Sequence, residues 1–298
     1  MSSPHGQQRP CQKNGGFRPN LPERGEARTR GFRALGSYPL IGGLTLVLLV
    51  LAGACTSVPR TFHPEPALPP STFTHAAWDR ALRAHVVNGQ VDYPAMAKDK
   101  SFAGYLAALD HVDPQAFPSR EERLAFWINA YNALAVKSII DGYSPESLWG
   151  KYRFFIAHDH AVGGTELNLY DLEHEILIPL FNEPRIHFAI VCASRSCPKL
   201  QPWAYDPDKL DGQLDQAARM FINDPSRNRF DREKRVARLS MIFNWFVQDF
   251  IAEAGSLIYY VKQFLEDQEL VTDLELRPYR IEYLEYDWSL NGIPLQDD

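Results

Sequence analysis

The sequence predicts an α+β fold in which helices pack on a small, mostly antiparallel sheet within a single domain. Several stretches place apolar residues at helical spacing, and short segments rich in branched and aromatic residues are typical of strands. After Phe73 no repeat, low-complexity tract or Pro/Gly-rich break divides the chain. Because 45% of the residues are apolar, the chain can bury a substantial core.

Residues 1–54 have the pattern of a secretory signal with a long basic leader. The first 36 residues contain seven Lys/Arg against two Asp/Glu, and an apolar run follows from Pro39 to Cys55. This run is short for a membrane span and ends in small residues before a cysteine. Its end, LAGAC, resembles the bacterial lipobox, in which cleavage leaves a cysteine that is then acylated. We therefore expect lipidation at Cys55, with a simple membrane anchor or an uncleaved signal as the alternative.

Residues 55–72 are predicted to form a lipid-anchored, Pro-rich tether, and residues 73–298 the globular domain. Five prolines between positions 59 and 70 indicate a semi-rigid spacer of roughly 50 Å. Residues 55–298 contain 24 Lys/Arg against 35 Asp/Glu, so the processed chain carries a net charge of about −11. That sign disfavours nucleic acid as a partner. The expected location is the cell envelope, anchored to a membrane and facing the periplasm or the exterior.

The first predicted helix covers Thr74 to about Val87, with Trp78 and Leu82 at helical spacing. Asn88-Gly89 then predicts a turn into a short apolar segment at 91–93. The clearest helix begins at Ser119, because Ser119 and Glu122 have the spacing of a capping box. Its predicted apolar stripe contains Leu124, Ile128, Tyr131, Ala135 and Ile139, and Gly142 follows its end.

Further helices are predicted by the same periodicity. One covers about Leu169 to Leu180, with Leu169, Leu172, Ile176 and Leu180 as its apolar face. A second opens at Asp206-Pro207, where an N-cap residue precedes proline. The last helices are expected over about 239–252 and 257–265, and a strand over 279–288.

The segment Arg185 to Leu200, RIHFAIVCASRSCPKL, places one histidine and two of the four cysteines close together. Residues 186–191 alternate and are rich in branched and aromatic side chains, which predicts a strand. In a regular strand His187 and Cys192 point to opposite faces and lie roughly 16 Å apart. A turn at 193–196 can return Cys197 beside the strand.

Three interpretations of this segment stay open at this point. The cysteines are structural or form a disulfide, which a secreted compartment permits. One of them is instead a reactive thiol served by a nearby histidine. The third interpretation is a metal site made of His158 and His160 with His174, His187 and the cysteines, for which the spacing is a weak signal.

Five stretches together resemble a known family. They are VNGQVDY at 87–93, FWINAYNAL at 126–134, LYDLEHEIL at 169–177, RIHFAIVCASRSCP at 185–198 and YDWSLN at 286–291. In this order they resemble the bacterial envelope branch of the family of domain of unknown function 547, over about residues 73–291. The family also occurs in plants and nematodes, hence in reducing compartments, which favours a role for Cys192 and Cys197 beyond a disulfide.

The resemblance implies a shared site more than a particular reaction. Because burying an unpaired polar group costs about 1–3 kcal/mol, many polar motif residues in apolar elements suggest a satisfied network around a polar pocket. The leading hypothesis is a thiol-assisted hydrolase or acyltransferase that acts on an unknown small molecule or envelope polymer. The alternative is a non-catalytic module that binds a glycan, peptide or lipid headgroup, or a partner in an envelope complex. No cofactor or metal is expected.

The residues expected at the site follow from the motifs. The expected catalytic residues are Cys197 or Cys192 as nucleophile, His187 or His174 as base, Glu173 or Asp287 as orienter and Asn129 as oxyanion donor. The expected substrate-binding residues are Trp127, Tyr131, Asn132, Arg185, Ser194 and Trp288.

Overall fold

The computed structural model describes residues 68–295 as an α+β fold, as the sequence predicts. The predicted signal, Cys55 and most of the predicted tether lie outside the described residues. The α-helices of the described range are α1 (Ala76–His85), α2 (Tyr93–Met96), α3 (Lys100–Asp110), α4 (Arg120–Ile140), α5 (Leu148–Phe155), α6 (Leu169–Asp171), α7 (Ile178–Phe181), α8 (Leu210–Ile222), α9 (Ile242–Trp245), α10 (Val247–Ala254), α11 (Leu257–Lys262) and α12 (Gln268–Leu276). None of these helices has the length and apolarity needed to cross a membrane.

Within residues 68–295 the strands form three small sheets. They are β1 (Val86–Val87), β2 (Gln90–Asp92), β3 (His160–Val162), β4 (Thr165–Leu167), β5 (Arg229–Asp231), β6 (Val236–Leu239), β7 (Arg280–Tyr283) and β8 (Gly292–Ile293). Strands β1 and β2, β3 and β4, and β5 and β6 pair antiparallel. Parallel pairing adds β8 to β2 and β7 to β6, so two of the sheets join distant parts of the chain.

Helix α4 is the centre of the fold. The side chain of Ser119 accepts the Glu122 amide hydrogen at 3.0 Å, and the Glu122 carboxylate accepts the Ser119 amide hydrogen at 2.9 Å. This confirms the predicted capping box. Every residue from Leu124 to Val136 is buried, which is the pattern of a helix surrounded by other elements.

The β1–β2 turn forms as its sequence predicts. Asn88 and Gly89 have φ values of 53° and 81°, the left-handed conformation that a two-residue hairpin of this type requires. A Cβ atom at Gly89 would lie 2.6 Å from Cβ of Lys199. Glycine is therefore needed here both for the backbone conformation and for space.

The helix predicted at 169–180 contains a π-helical turn at Leu172–Leu177, between α6 and α7. The predicted place of Leu180 on the apolar face is wrong, because this side chain is exposed and Leu177 and Phe181 are buried instead. A π-turn holds an extra residue, so the apolar face shifts by one position beyond it.

The predicted strand at 186–191 is wrong. Pro184–Phe188 form a 3-10 helix, with proline at the first position and the Glu183 carboxylate accepting the Arg185 amide hydrogen at 3.2 Å. The side chains of 186–191 are all buried, so their apolar alternation reflects complete burial and not the two faces of a strand.

Two predictions near the C-terminus also need correction. The helix expected from 239 begins at Ile242 and breaks at Phe246, while Val236–Leu239 form strand β6. The expected strand at 279–288 is limited to β7. Both apolar clusters of the core are made by residues between Phe73 and Leu274.

Candidate functional site

A cavity of about 530 Å³ lies between α5, the π-helical turn, α9 and the segment that carries the cysteines. Most of its wall is aromatic or aliphatic, which is typical of sites for small molecules. Its lining residues are Tyr131, Lys151, Tyr152, Phe155, Ile156, Tyr170, Glu173, His174, His187, Ile190, Cys192, Cys197, Pro198, Ile242, Trp245, Phe246, Tyr286 and Trp288.

One wall of the cavity is a cluster of three aromatic rings. The ring centroid of Tyr286 lies 4.6 Å from that of Trp288 and 4.8 Å from that of Trp245. The ammonium group of Lys151 lies 3.9 Å from the centroid of the Trp288 ring, within the range of a cation–π contact. This wall therefore combines a flat apolar surface with one positive charge.

Glu173 is a buried carboxyl group in the lining. Tyr131 donates a hydrogen bond to its Oε2 at 3.1 Å. Burial raises the pKa of Glu173 to about 7, while the Tyr131 hydrogen bond acts in the opposite direction. The π-helical turn presents this carboxyl to the cavity, and such turns are frequent at functional sites.

His187 forms the second polar element of the cavity. Its Nε2 lies 2.8 Å from Oδ2 of Asp249, and its ring stacks on Phe246 with centroids 3.9 Å apart. Burial lowers the pKa of His187, although Asp249 opposes that change. The imidazole is therefore neutral near pH 7, with the Nε2 hydrogen donated to Asp249 and a lone pair on Nδ1. Nδ1 is buried and has no hydrogen-bond partner within residues 68–295.

His174 lies at the more exposed side of the cavity. Its ring contacts the ring of Tyr170 in a tilted arrangement, with the two centroids 4.3 Å apart. Burial of part of the ring lowers the pKa of His174, and the nearby His187 contributes in the same direction. The structure thus brings both predicted candidate bases to one cavity.

Cys192 and Cys197 are joined by a disulfide, with their Cα atoms 6.2 Å apart. The chain turns between them through Ala193, whose φ is 59°. The structure therefore agrees with the first of the three interpretations of the Arg185–Leu200 segment, in which the cysteines form a disulfide. Neither sulfur is a free thiol in this state, so neither can act as a nucleophile before reduction. The bond still lies in the cavity lining.

Asn129 and Asn132 hold the backbone of neighbouring segments and do not line the cavity. The Asn129 amide donates to the Tyr205 carbonyl at 2.8 Å and accepts the Tyr205 amide hydrogen at 2.9 Å. The Asn132 amide donates to the Ala189 carbonyl at 2.9 Å and accepts the Val191 amide hydrogen at 2.8 Å. The predicted oxyanion role of Asn129 therefore has no geometric support, whereas Asn132 holds the backbone at Ala189 and Val191, just before Cys192.

Four other expected site residues also lie outside the cavity lining. Arg185 forms ion pairs with Glu183, Asp211 and Asp215. The Asp287 carboxylate accepts the Ser289 amide and hydroxyl hydrogens. The remaining two are Ser194, whose hydroxyl lies 3.2 Å from that of Tyr286, and Trp127, which packs edge-on against Phe126.

The histidines considered for a metal site are engaged in other contacts. Nε2 of His158 lies 3.2 Å from the Asp141 carboxylate, and Nε2 of His160 lies 3.1 Å from the Ser138 hydroxyl. Across residues 68–295, no group of three or more His, Cys, Asp or Glu residues is arranged to hold a metal ion.

Several cavity residues were not expected from the sequence. Lys151, Tyr152, Phe155 and Ile156 come from α5 and its end, and no motif marks that helix. Tyr170 and Tyr286 lie inside the quoted motifs, so a signal for them was present. Asp249 was not expected because its partner His187 is 62 residues away in the sequence.

Chemically, the cavity can hold an apolar molecule, and Glu173 and His187 are among the ionisable groups of its lining. No curated protein and no solved structure was found to match the chain. A family model described as "Protein of unknown function, DUF547" matches residues 115–222. The matched segment contains α4, Glu173, His187 and the disulfide, and over this segment the chain is similar to that family.

Proposed function

We propose that the protein binds an amphipathic molecule, with an acyl or aromatic part inside the cavity and an anionic or hydrogen-bonding end near Lys151 and Glu173. The observation that carries this proposal is the composition of the cavity wall. Aromatic and aliphatic side chains cover most of it, and its ionisable groups are few. A volume of about 530 Å³ lies within the range of small-molecule sites.

The apolar part of such a ligand gains from leaving water. Each methylene group transferred into an apolar wall contributes about 0.8 kcal/mol. The rings of Trp245, Tyr286 and Trp288 provide a surface for flat or flexible apolar groups. A highly polar ligand such as a free sugar would leave this surface poorly used, so we favour an acyl or aromatic ligand over a glycan.

The polar end of the ligand has two partners available. The Lys151 ammonium contacts the Trp288 ring and forms no ion pair within the described part of the chain, so it can attract an anionic group. Glu173 carries a proton below about pH 7 and can then donate a hydrogen bond. Above that pH its negative charge repels an anionic ligand.

The proposal is tested with a fluorescent fatty acid as the probe. Ile190 is buried and lines the cavity, so Ile190→Trp fills part of it and is expected to abolish probe binding. Leu276→Trp adds the same side chain at an exposed position on α12 and is the matched control. Lys151→Met is expected to weaken the anionic probe about tenfold and to leave a neutral fatty alcohol unchanged. Equal affinity of wild type and a folded Ile190→Trp variant would refute the proposal.

A second candidate function is acid–base catalysis on the bound molecule. It is favoured by one observation: Glu173, with a pKa of about 7, and His187, with an unpartnered Nδ1, line the same cavity. The measurement is hydrolysis of p-nitrophenyl acyl esters by wild type, Glu173→Gln and Asp249→Asn. Activity that requires reductant and disappears in Cys192→Ser would support the thiol-assisted mechanism. Activity that is independent of reductant and lost in Glu173→Gln would support water activation instead.

We also propose, from the sequence, that the protein is secreted and anchored to a membrane of the cell envelope through Cys55. The apolar run from Pro39 to Cys55 and its lipobox-like end support this location. Metabolic labelling with palmitate should mark the wild-type chain and should not mark Cys55→Ser. Labelling of both proteins would refute the assignment.

A further inference from the structure

Helix α5 exposes a continuous apolar face, which we call the α5 face. It consists of Leu148, Trp149, Tyr152 and Ile156, the last lying just beyond the helix end. Leu148 is 85% exposed and Trp149 is 67% exposed. At about 100° per residue, these four positions fall within roughly one third of the helix circumference. Phe154 lies on the opposite side and is fully buried, so the orientation of the helix is fixed.

The α5 face is continuous with the cavity. Tyr152 and Ile156 are exposed and also line the cavity. Tyr170 and Trp245 share both properties from other elements. The exposed apolar surface and the apolar interior therefore meet at the mouth of the cavity. Exposed apolar patches of this kind mark sites of interaction with proteins, ligands or membranes.

The residue types and charges on α5 favour a bilayer as the occupant. Tryptophan and tyrosine combine an apolar ring with a polar group and are enriched at membrane–water interfaces. Lys151 and Arg153 lie on the same helix, and their cationic groups contact the rings of Trp288 and Tyr143. Neither forms an ion pair within residues 68–295, so both are available to lipid phosphates.

The sequence before residue 68 also favours a bilayer as the binding partner of the α5 face. The predicted lipidation site Cys55 lies 13 residues before Leu68. Acylation at Cys55, as proposed, would therefore tie the domain to the bilayer through a short segment of chain. Because the processed chain is acidic overall, the two cations of α5 supply local charge complementarity to an anionic membrane.

We propose that the α5 face docks on a bilayer that contains anionic lipid, and that the cavity takes its amphipathic ligand from that bilayer. Leu148 and Trp149 insert among the headgroups, and Lys151 and Arg153 contact phosphates. The mouth between Tyr152 and Trp245 then opens toward the lipid. The second part of this inference rests on the proposed function, whereas the docking does not.

The docking is tested with a chain that begins at Ser57, because both core clusters are made by residues after that point. This chain lacks the predicted signal and anchor, so vesicle binding reports on the domain alone. Co-sedimentation is measured with vesicles of phosphatidylglycerol and phosphatidylethanolamine. Leu148→Ser/Trp149→Ser is expected to weaken binding about tenfold or more. Val87→Ser/Leu276→Ser removes two apolar residues of similar exposure elsewhere and is expected to bind like wild type.

Brominated lipids provide a second measurement at a single residue. They quench tryptophan that contacts the bilayer, so Trp149→Phe should lose part of the quenching seen with wild type, and Trp245 at the cavity mouth should account for the rest. Trp203→Phe, at a position outside the cavity and the α5 face, should retain it. If vesicle binding and quenching are the same in all variants, or absent in wild type, the docking proposal is wrong. Self-association in solution that is lost in Leu148→Ser/Trp149→Ser, without vesicle binding, would assign the face to a second copy of the chain and overturn it as well.

The two proposals fail in different ways. Leu148 and Trp149 do not line the cavity, so their double variant should bind the fluorescent fatty acid normally in vesicle-free solution. Its uptake of the same probe from donor vesicles should be about tenfold slower than that of wild type. Normal uptake from vesicles by this variant would refute the transfer route while leaving ligand binding intact. Vesicle docking without any probe binding would refute the proposed function and leave the docking intact.

Discussion

Replacement of Glu173 by glutamine should remove a pH dependence of stability that the buried carboxyl creates. Glutamine keeps an oxygen that can accept the hydrogen bond from Tyr131, so the change mainly removes ionisation. Burial raises the pKa of Glu173 from 4.5 to about 7 in the folded protein. Each pH unit of such a shift corresponds to about 1.4 kcal/mol, so the full effect is about 3 kcal/mol. This is a large fraction of the stability of an ordinary domain.

The sign of the effect follows from the proton count. Below pH 4.5 the carboxyl is protonated in both the folded and the unfolded chain, and stability does not depend on it. Between pH 4.5 and about 7 the unfolded chain releases the proton while the folded chain keeps it, so the free energy of unfolding falls as pH rises. Above about pH 7 both states are ionised, and the loss is complete.

The assay is urea denaturation of wild type and Glu173→Gln at pH 5 and pH 8. The wild-type chain should lose about 2.5 kcal/mol more than the variant over this interval, because pH 5 already lies above the unfolded pKa and the other titrating groups are shared and cancel. Glu175→Gln, at an exposed position of the same π-helical turn, is the matched control and should behave like wild type. If wild type and Glu173→Gln lose stability in parallel, the carboxyl is not held protonated by burial and the reasoning fails.

Three further predictions concern stability and are read by urea denaturation near pH 7. Asn132→Leu should cost about 2–3 kcal/mol, because it leaves the Val191 amide hydrogen and the Ala189 carbonyl buried without a partner. A loss below about 1 kcal/mol would show that water replaces the Asn132 side chain at these two groups. Reduction of the Cys192–Cys197 disulfide should cost about 2 kcal/mol from the chain entropy of the short loop, and an unchanged midpoint with reductant would contradict this. Ser119→Ala should cost about 1 kcal/mol through loss of the helix cap, whereas Ser119→Asp should restore most of it.

The parts of the fold that the sequence predicts well depend on local signals. Helix α4 has its capping box, its apolar stripe and its terminal glycine within one continuous stretch, so its bounds match the structure closely. The β1–β2 turn is likewise determined by two adjacent residues. In such cases the nearest neighbours in the chain supply most of the hydrogen bonds that decide the conformation.

The parts that the sequence does not predict depend on distant contacts. Residues 186–191 are all buried, so the period-two pattern that suggested a strand carries no information about their conformation. Strand β6 pairs in parallel with β7, about 45 residues later, and no residue within Val236–Leu239 indicates that pairing. The extra residue of the π-helical turn at Leu172–Leu177 is also invisible to a fixed helical period.

The predicted site residues fall into two groups, those that line the cavity and those that do not. Glu173, His174, His187 and the two cysteines do meet at one cavity, as the family-like motifs imply. Asn129, Asn132, Arg185, Ser194, Asp287 and Trp127 satisfy backbone groups, ion pairs or packing elsewhere. A buried polar residue in a motif can serve either purpose, and only its partners in space distinguish them. In α5 the apolar residues lie on the exposed side as well as on the buried side, so helical periodicity did not identify this helix as part of the cavity wall.

The end of the family match has a consequence for how this cavity can diversify. The match stops at residue 222, and it contains the titratable side of the cavity with Glu173 and His187. An aromatic part of the lining, with Trp245, Tyr286 and Trp288, is encoded after that boundary. Proteins that share only the matched segment can therefore differ in the aromatic part of this wall. Exchange of the region after residue 222 between such proteins should therefore alter the shape of the aromatic wall.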